Sequence, residues 1–376
     1  MDFDLRAHTI LLTVAGSRAY GIHTDTSDVD LKGVAIPPKR YLLGFLNVFE
    51  QADRGGHMQA FVDLLTEEER AVSEREKVEG SVYALRKFLK LAVDCNPNIL
   101  DALFCREDEV RLCTPAGRRL RDARRQFLSQ KAKHTYSGYA MSQLKRIRGH
   151  RAWLLNPPAA PPQRADFDLP ERSLSSADQR GAAASFVQDK LDSWDIDTEG
   201  LDKAAKVALD ARLREVLVEM KLASEEDLWR AGARSVGLDE NFIELLDRER
   251  RYQAAMNNWR MYQRWQKKRN PARAALEAKF GYDTKHAAHL VRLLRMGREI
   301  LVDGAVHVWR GDRDREELLA LRRGAWSYDE LVEWAEQQDA ELEAIYRANT
   351  SPLPKRPDRK ALDALCVELV EASLRA

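Results

Sequence analysis

A short segment near the amino terminus combines a buried-strand pattern with a glycine–serine step and two aspartates. The apolar run at 10–15 ends at Gly16 and Ser17, and Asp28 and Asp30 follow after an interval of ten residues. Short aliphatic runs that stop at glycine are typical of buried strands. The pattern therefore predicts a strand that ends in a polar turn and is followed by an acidic segment.

The two aspartates open a second predicted strand, 28–36, which Pro37 ends. Side chains at positions i and i+2 of a strand lie on the same face, roughly 7 Å apart. Asp28 and Asp30 are therefore expected side by side, with Val29 in the core behind them. Adjacent carboxylates repel each other unless a cation lies between them, and Mg²⁺ sites usually combine one or two carboxylates with substrate phosphates. The pair predicts a site for a divalent cation.

Gly16 and Ser17 have the properties of a phosphate-binding turn. Without a Cβ, Gly16 lets a phosphate approach the backbone closely. The backbone N–H groups and the Ser17 hydroxyl can then donate to it, more strongly if they open a helix. The alternative interpretation of the segment is a helix N-cap followed by a solvated acidic turn.

The arrangement resembles the signature of the DNA polymerase β-like nucleotidyltransferase superfamily. Its elements are Gly-Ser, the ten-residue interval and Asp-Val-Asp, and the family's flanking hydrophobic positions correspond to Ala15, Val29 and Leu31. The resemblance implies an α+β fold, with a mixed sheet at the amino terminus and a mainly helical carboxyl-terminal body. It also implies catalytic and metal-binding roles for Asp28 and Asp30.

The same resemblance implies a reaction. A nucleoside monophosphate would pass from a nucleoside triphosphate, with ATP favoured, to an acceptor hydroxyl, and pyrophosphate would leave. Mg²⁺ or Mn²⁺ would be the cofactor, and Gly16, Ser17 and Arg18 would grip the triphosphate. Catalysis would depend on positioning and charge neutralisation rather than on a covalent intermediate.

The superfamily fold requires a third carboxylate on a neighbouring strand, to complete two metal sites about 4 Å apart. Glu79, in the strand-like piece 78–83, is the candidate, because the residues after it resemble the region after the third acidic position in one bacterial and phage branch. A glutamate departs from the aspartate of the family pattern. Asp63 is the rival, and an ordinary surface role for Glu79 is the other alternative.

A second segment, 280–295, predicts a helix with cation-capable side chains near its amino end. Lys285, His289 and Arg292 fall at i, i+4 and i+7 and share one face, while His286 lies on the neighbouring face. Such a group suits a triphosphate, because the helix dipole adds to its charge. The alternative is an ordinary cationic surface stripe.

This segment also resembles the RNA-ligase-associated branch of the superfamily, as do the stretches 153–158 and 301–310. The resemblance implies that the four cation-capable side chains face the nucleotide pocket. The association with RNA ligases implies an RNA 3′ end as the acceptor, in end repair or tailing, and an RNA ligase as a partner. Two alternatives stay open: AMP transfer to a protein or a small molecule, and a subunit that binds nucleotide without turnover.

Composition limits the remaining classes of function. Across 376 residues, 61 lysines and arginines balance 60 aspartates and glutamates, so only local basic patches could indicate nucleic-acid binding. The four cysteines have neither metal-ligand spacing nor a paired framework, which favours reduced thiols and a cytoplasmic protein. No apolar stretch approaches the roughly 18 residues of a membrane span, so we expect no membrane association.

The rest of the chain is predicted to be mainly helical. We expect a nucleotidyltransferase domain over 1–110, a helical domain over 111–376 that closes the nucleotide cleft, and a stiff proline-rich connector at 156–172. The basic and aromatic segment 115–154 has two interpretations, a nucleic-acid face or an amphipathic helix with a solvated cationic side. Further predicted helices are 84–92, 204–221, 241–270, 316–323, 328–348 and 359–374, and 299–309 is predicted to be a hairpin that turns at Asp303-Gly304.

Overall fold

The structure is a computed structural model, and it describes residues 2–24, 27–53, 56–74, 78–172, 240–269 and 271–375. The chain divides into two compact units, one built from Met1–Leu155 together with Asn270–Ala376 and the other from Asn156–Arg269. The predicted division into a catalytic domain to residue 110 and a helical domain beyond it stays a prediction. The helix predicted at 204–221 lies outside the described residues.

The first unit contains a mixed sheet of five strands, as the sequence predicts. In chain order the strands are β1 (Thr9–Ala15), β2 (Asp30–Ala35), β3 (Gln51–Ala52), β4 (Glu79–Ala84) and β5 (Val110–Cys113). In space they follow the order β3, β4, β2, β1, β5. β1 lies antiparallel to β2 and β5, whereas β4 lies parallel to β2 and antiparallel to β3. The glycine–serine step and the aspartates therefore lie on adjacent strands.

The other regular elements described in the two units are helices. Up to residue 155 they are α1 (Gly16–Ala19), α2 (Lys39–Leu43), α3 (Glu67–Ser73), α4 (Leu85–Val93), α5 (Pro97–Phe104), α6 (Pro115–Asp122) and α7 (Ala132–Leu155). In the second unit the next described helix is α8 (Glu240–Lys268). The first unit then continues with α9 (Pro271–Phe280), α10 (Thr284–Asp303), α11 (Arg315–Arg322), α12 (Tyr328–Ala348) and α13 (Arg359–Arg375). Short 3₁₀ helices lie at Met58–Leu64, Glu107–Glu109, Arg124–Phe127 and Arg164–Phe167.

Alternation along the central strands gives the sheet two apolar faces. Leu12 and Leu31 pack in one cluster, whereas Leu11 and Val34 pack in a larger one. The larger cluster continues into α4, α5, α7 and α10, and α10 is buried along most of its length. The sheet and the helical body of the first unit therefore share one core, which fixes α10 near the ends of β1 and β2.

The hairpin predicted over 299–309 is wrong. α10 continues through Asp303, and Gly304 ends it in the left-handed conformation with φ of +65°. The apolar spacing of α10 extends as far as Ile300 and Leu301, both fully buried. Packing of this apolar face outweighs the local turn signal, and the Asp-Gly step acts as a helix end instead.

Most other elements are confirmed within one or two residues. The confirmed predictions are the strands at 10–15 and 78–83 and the helices at 84–92, 241–270, 316–323, 328–348 and 359–374. β2 begins at Asp30, later than predicted, so Asp28 precedes the strand. Of the helices that the structure describes, none is long and apolar enough to cross a membrane.

The basic and aromatic segment before residue 155 forms α6, a 3₁₀ turn and α7. Tyr136 is fully buried, and two cations of α7 have acidic partners in the helical body. Lys133 pairs with Glu343, and Arg148 pairs with Glu336. These contacts favour the amphipathic interpretation of the segment over a nucleic-acid face.

Arg310 is a buried cation that fastens the chain after α10 to the rest of the first unit. It is 1% exposed, and its guanidinium donates to Glu299 at 2.7 and 2.9 Å and to Asp314 at 2.7 Å. Its backbone N–H donates to the carbonyl of Tyr20 at 3.0 Å. This contact holds the helical body against the segment that follows the glycine–serine step.

Arg310→Met should lower the free energy of unfolding by about 3 kcal/mol, because two carboxylates lose a largely buried, hydrogen-bonded partner. Guanidinium-induced unfolding measures the change. Arg313→Met is the matched control: this more exposed arginine lies 3.5 Å from Glu299, so its loss should cost less than about 1 kcal/mol. Equal losses in the two variants would contradict the role given to Arg310.

Candidate active site

The end of β1 and the start of β2 are in unusually close contact. Gly16 has φ of +63°, and a Cβ built on it would lie 2.3 Å from Oδ2 of Asp30. A side chain at position 16 would therefore collide with the carboxylate and would also strain the backbone. Only glycine allows the turn to approach the aspartate this closely.

Three carboxylates converge at this edge of the sheet. Asp28 precedes β2, Asp30 is its first residue, and Glu79 is the first residue of β4. The parallel register pairs Asp30 with Glu79, and the backbone N–H of Glu79 donates to the carbonyl of Val29 at 3.2 Å. One oxygen from each carboxylate lies within 4.8 Å of the others. The sheet thus brings together the three acidic residues that the sequence analysis selected.

Asp63, the rival third carboxylate, lies elsewhere. Both of its oxygens accept hydrogen bonds from the guanidinium of Arg6, at 2.6 and 2.8 Å. It does not belong to the group formed by Asp28, Asp30 and Glu79. Of the two candidates, geometry favours Glu79.

The electrostatics of the three carboxylates favour a bound cation. Burial, followed by the charge of Asp28, raises the pKa of Asp30, and Glu79 raises it further. Lys32 and Lys285 act in the opposite direction, but the net direction is upward. Negative charge is therefore under-compensated here, and a divalent cation with oxygen ligands would relieve the repulsion. The residues present fit such an ion.

A cavity of about 300 Å³ adjoins two of the carboxylates, Asp28 and Asp30, whereas Glu79 is not among the residues that line it. The cavity lies within the first unit, and its volume is at the lower end of the range for ligand pockets, about 300–1,000 Å³. The residues predicted from the sequence that line it are Gly16, Ser17, Asp28, Asp30, Lys285, His289 and Arg292. The two distant sequence segments thus meet at one cavity. Lys285, His289 and Arg292 line it together, in agreement with the shared helix face that their spacing predicts.

Arg18 and His286 lie outside the residues that line the cavity. Arg18 is buried, and its guanidinium donates to the backbone carbonyls of Asp28 and Ser27 at 3.3 and 3.4 Å. His286 faces Asp283, with Nε2 at 3.6 Å from the carboxylate. The structure therefore gives Arg18 a place behind Asp28, and direct contact of Arg18 or His286 with nucleotide stays a prediction.

α10 brings less positive charge to the cavity than three cationic side chains, Lys285, His289 and Arg292, would supply. Burial, followed by the charge of Arg292, lowers the pKa of His289 to about 3, and burial lowers that of His286 to about 4. Both imidazoles are neutral near pH 7. The positive charge that α10 brings to the cavity therefore comes from Lys285, which is exposed, and from Arg292, which is 1% exposed.

Sequence reasoning missed several polar residues of the cavity. Asp101 and Asn98 line it from α5, Tyr20 from the turn after α1, and Lys32 and Arg322 from β2 and α11. Asp101 stands in an otherwise apolar stretch, which the sequence analysis left without a functional role. A lone carboxylate on a buried helix face is the signal that could have identified it.

The mixed sheet, the glycine–serine turn and the helical body define a fold of the polymerase β-like nucleotidyltransferase class. Residues 4–153 match the model of the RlaP family, described as the RNA repair pathway DNA polymerase beta family. Over these residues the chain is similar to the polymerase β-like nucleotidyltransferases of the RNA repair branch. The resemblance inferred from the sequence is confirmed.

The curated relatives include a protein of Enterobacteria phage T4, an uncharacterized 38.9 kDa protein in the nrdC-mobD intergenic region. It is 27% identical over 147 residues, which make up 38% of this chain and 40% of the phage protein. The chain thus matches 40% of the length of that relative. No solved structure shows a significant match.

Gly16→Ala should weaken Mn²⁺ binding by about tenfold or more, because the new methyl group displaces the Asp30 carboxylate. It should also lower the free energy of unfolding by about 1–2 kcal/mol through the left-handed backbone conformation. Mn²⁺ affinity is measured by electron paramagnetic resonance, with Gly56→Ala as the control, because a Cβ at that position would meet no atom within 4 Å in the part of the chain that the structure describes. Unchanged affinity in Gly16→Ala would contradict the proposed contact.

Proposed function

We propose that this chain is a metal-dependent nucleotidyltransferase that moves a nucleoside monophosphate from a nucleoside triphosphate to an acceptor hydroxyl. The observation that carries the proposal is the convergence of Asp28, Asp30 and Glu79 beside a cavity that α10 lines with Lys285 and Arg292. Acidic ligands for metal and cationic groups for phosphate thus meet in one place. The RNA repair description of the matching family supports the same class of reaction.

Asp28, Asp30 and Glu79 would hold Mg²⁺ or Mn²⁺, since hard divalent cations prefer carboxylate oxygens. When bound, such ions lower the pKa of an attacking hydroxyl and neutralise charge on the phosphates and the leaving group. The parallel pairing of β2 with β4 sets the spacing of Asp30 and Glu79 before any ligand arrives. Arg18, through its hydrogen bond to the Asp28 carbonyl, would keep that residue in place.

The phosphates would lie between the glycine–serine turn and α10. Gly16 leaves room for a phosphate at the backbone, and the Ser17 hydroxyl can donate to it. Lys285, exposed at the amino end of α10, and Arg292, buried deeper along the same face, would supply positive charge. His289, neutral near pH 7, would contribute hydrogen bonding rather than charge.

The acceptor that we favour is an RNA 3′ end, with ATP as the favoured donor and an RNA ligase as a partner in end repair. This part of the proposal rests on the RNA repair family that residues 4–153 match. AMP transfer to a protein or a small molecule uses the same arrangement of metal and phosphate. Binding of nucleotide without turnover is the remaining alternative, and Glu79 bears on it because a reactive centre of this class needs the third carboxylate.

The proposal predicts that purified protein transfers label from an α-labelled nucleoside triphosphate to RNA in the presence of Mg²⁺. The double variant Asp28→Asn/Asp30→Asn should lose about 100-fold or more of this rate, because metal ions supply several kcal/mol of charge stabilisation. Asp63→Asn is the matched control, since that carboxylate pairs with Arg6 outside the group.

The location of the label separates the alternatives. Label in RNA supports the favoured acceptor, label in the protein supports AMP transfer to a side chain, and bound but unconverted nucleotide supports a non-catalytic subunit. A rate in the double variant equal to that of the wild type would refute the metal assignment.

A further inference from the structure

Asp101 places a carboxylate with one unused oxygen at the cavity. The residue is 3% exposed and lines the cavity from α5. Its Oδ2 accepts a hydrogen bond from the Tyr20 hydroxyl at 2.5 Å and lies 3.7 Å from Nη1 of Arg292. Its Oδ1 is buried and has no hydrogen-bond partner within the part of the chain that the structure describes. Oδ2 thus already accepts a hydrogen bond, whereas Oδ1 is available to accept one.

The two groups that face Oδ2 of Asp101, Tyr20 and Arg292, are held in place by further contacts. The Arg292 guanidinium lies 3.6 Å from the centre of the Tyr20 ring, so the two partners of Oδ2 hold each other in place. Arg292 is also engaged along α10, with Nη2 at 3.1 Å from Nδ1 of His289 and Nη1 at 2.9 Å from Sδ of Met296. The tyrosine and the arginine are therefore fixed, and Oδ1 stays without a hydrogen-bond partner among the described residues while Asp101 lines the cavity.

A buried acceptor without a partner is costly, by about 1–3 kcal/mol and more for a charged group. Buried polar groups are nearly always paired, so an exception at a cavity indicates a ligand or a function. Burial raises the pKa of Asp101, and the charge of Arg292 and the hydrogen bond from Tyr20 oppose that rise. In its ionised form the carboxylate can only accept, so its complement is a hydrogen-bond donor and not a phosphate.

We propose that Oδ1 of Asp101 accepts a hydrogen bond from a neutral donor of the nucleotide, either a ribose hydroxyl or the amino group of the base, and that Asp101 thereby selects the substrate. The inference rests on the proposed function, because it assumes that the cavity holds a nucleotide. Asn98 lies three residues earlier on α5, lines the same cavity and shares that helix face. Its amide can donate and accept, so the pair suits a sugar or a base edge rather than the anionic end of the nucleotide.

The test measures the affinity of the whole wild-type chain, with Mg²⁺, for four triphosphates by calorimetry. These are ATP, its 2′-deoxy and 3′-deoxy analogues, and purine riboside triphosphate, which lacks the amino group of adenine. One analogue should bind about 10- to 100-fold more weakly than ATP, as expected for a lost hydrogen bond to a charged group. That analogue identifies whether a ribose hydroxyl or the amino group is the donor.

Asp101→Asn is the corresponding variant, because it keeps the shape and can present an N–H where Oδ1 accepted. It should bind ATP and the disfavoured analogue with similar affinity. Glu109→Gln is the matched control: Glu109 is also buried, and its Oε1 has no hydrogen-bond partner within the described residues, but it does not line the cavity. This control should keep the wild-type preference.

The outcomes separate this inference from the proposed function. Equal affinities of the wild type for all four triphosphates would overturn the role of Asp101 and leave the proposed function standing. No binding of any of the four would overturn this inference together with ATP as the donor. A thermal unfolding curve for each variant checks that it folds, and if Asp101→Asn does not, the wild-type series alone decides the question.

Discussion

The parallel pairing of β2 with β4 is the interaction on which the rest of the site depends. It sets Asp30 against Glu79 in register, although the two residues are distant in sequence, and it extends to the hydrogen bond between the Glu79 N–H and the Val29 carbonyl. Val29 and Leu31, buried between the acidic positions, fix which way the carboxylates face. A one-residue shift in the register of β2 would turn every side chain of this strand to the other face of the sheet, and the three carboxylates would no longer lie together.

The helical body completes what the sheet begins. α10 is buried against α7, α11 and α12, and this packing determines which of its faces reaches the cavity. The buried Arg292 and the exposed Lys285 therefore line the same cavity as Gly16, Asp28 and Asp30. Arg310 secures the chain that follows α10 to Tyr20, and Tyr20 in turn orients Asp101. Sheet and body act as one unit because both contribute to a common core.

The local sequence pattern was sufficient to predict the strands and helices that carry the site, but not the tertiary contacts of its residues. The sequence pattern predicted β2, which begins at Asp30. Helical spacing predicted the shared face of Lys285, His289 and Arg292, because each signal lies within one element. The failed hairpin at 299–309 shows the limit, since a two-residue turn signal carries no information about packing against α7. Asp101 was missed for the same reason, because only the tertiary fold places its carboxylate against Tyr20. The charge of His289 was also not predictable from the sequence, because burial in the fold keeps it uncharged.

Asp28, Asp30 and Glu79 are proposed to form a binding site for divalent cations. Crystals of the wild-type chain soaked with Mn²⁺ and a non-hydrolysable ATP analogue, with anomalous diffraction data, locate the ion directly. The account predicts anomalous density within coordination distance of all three carboxylates and next to the phosphates. Density only at His150, Glu277 and Asp283, the other described group of potential ligands, or none at the acidic edge of the sheet, would contradict it.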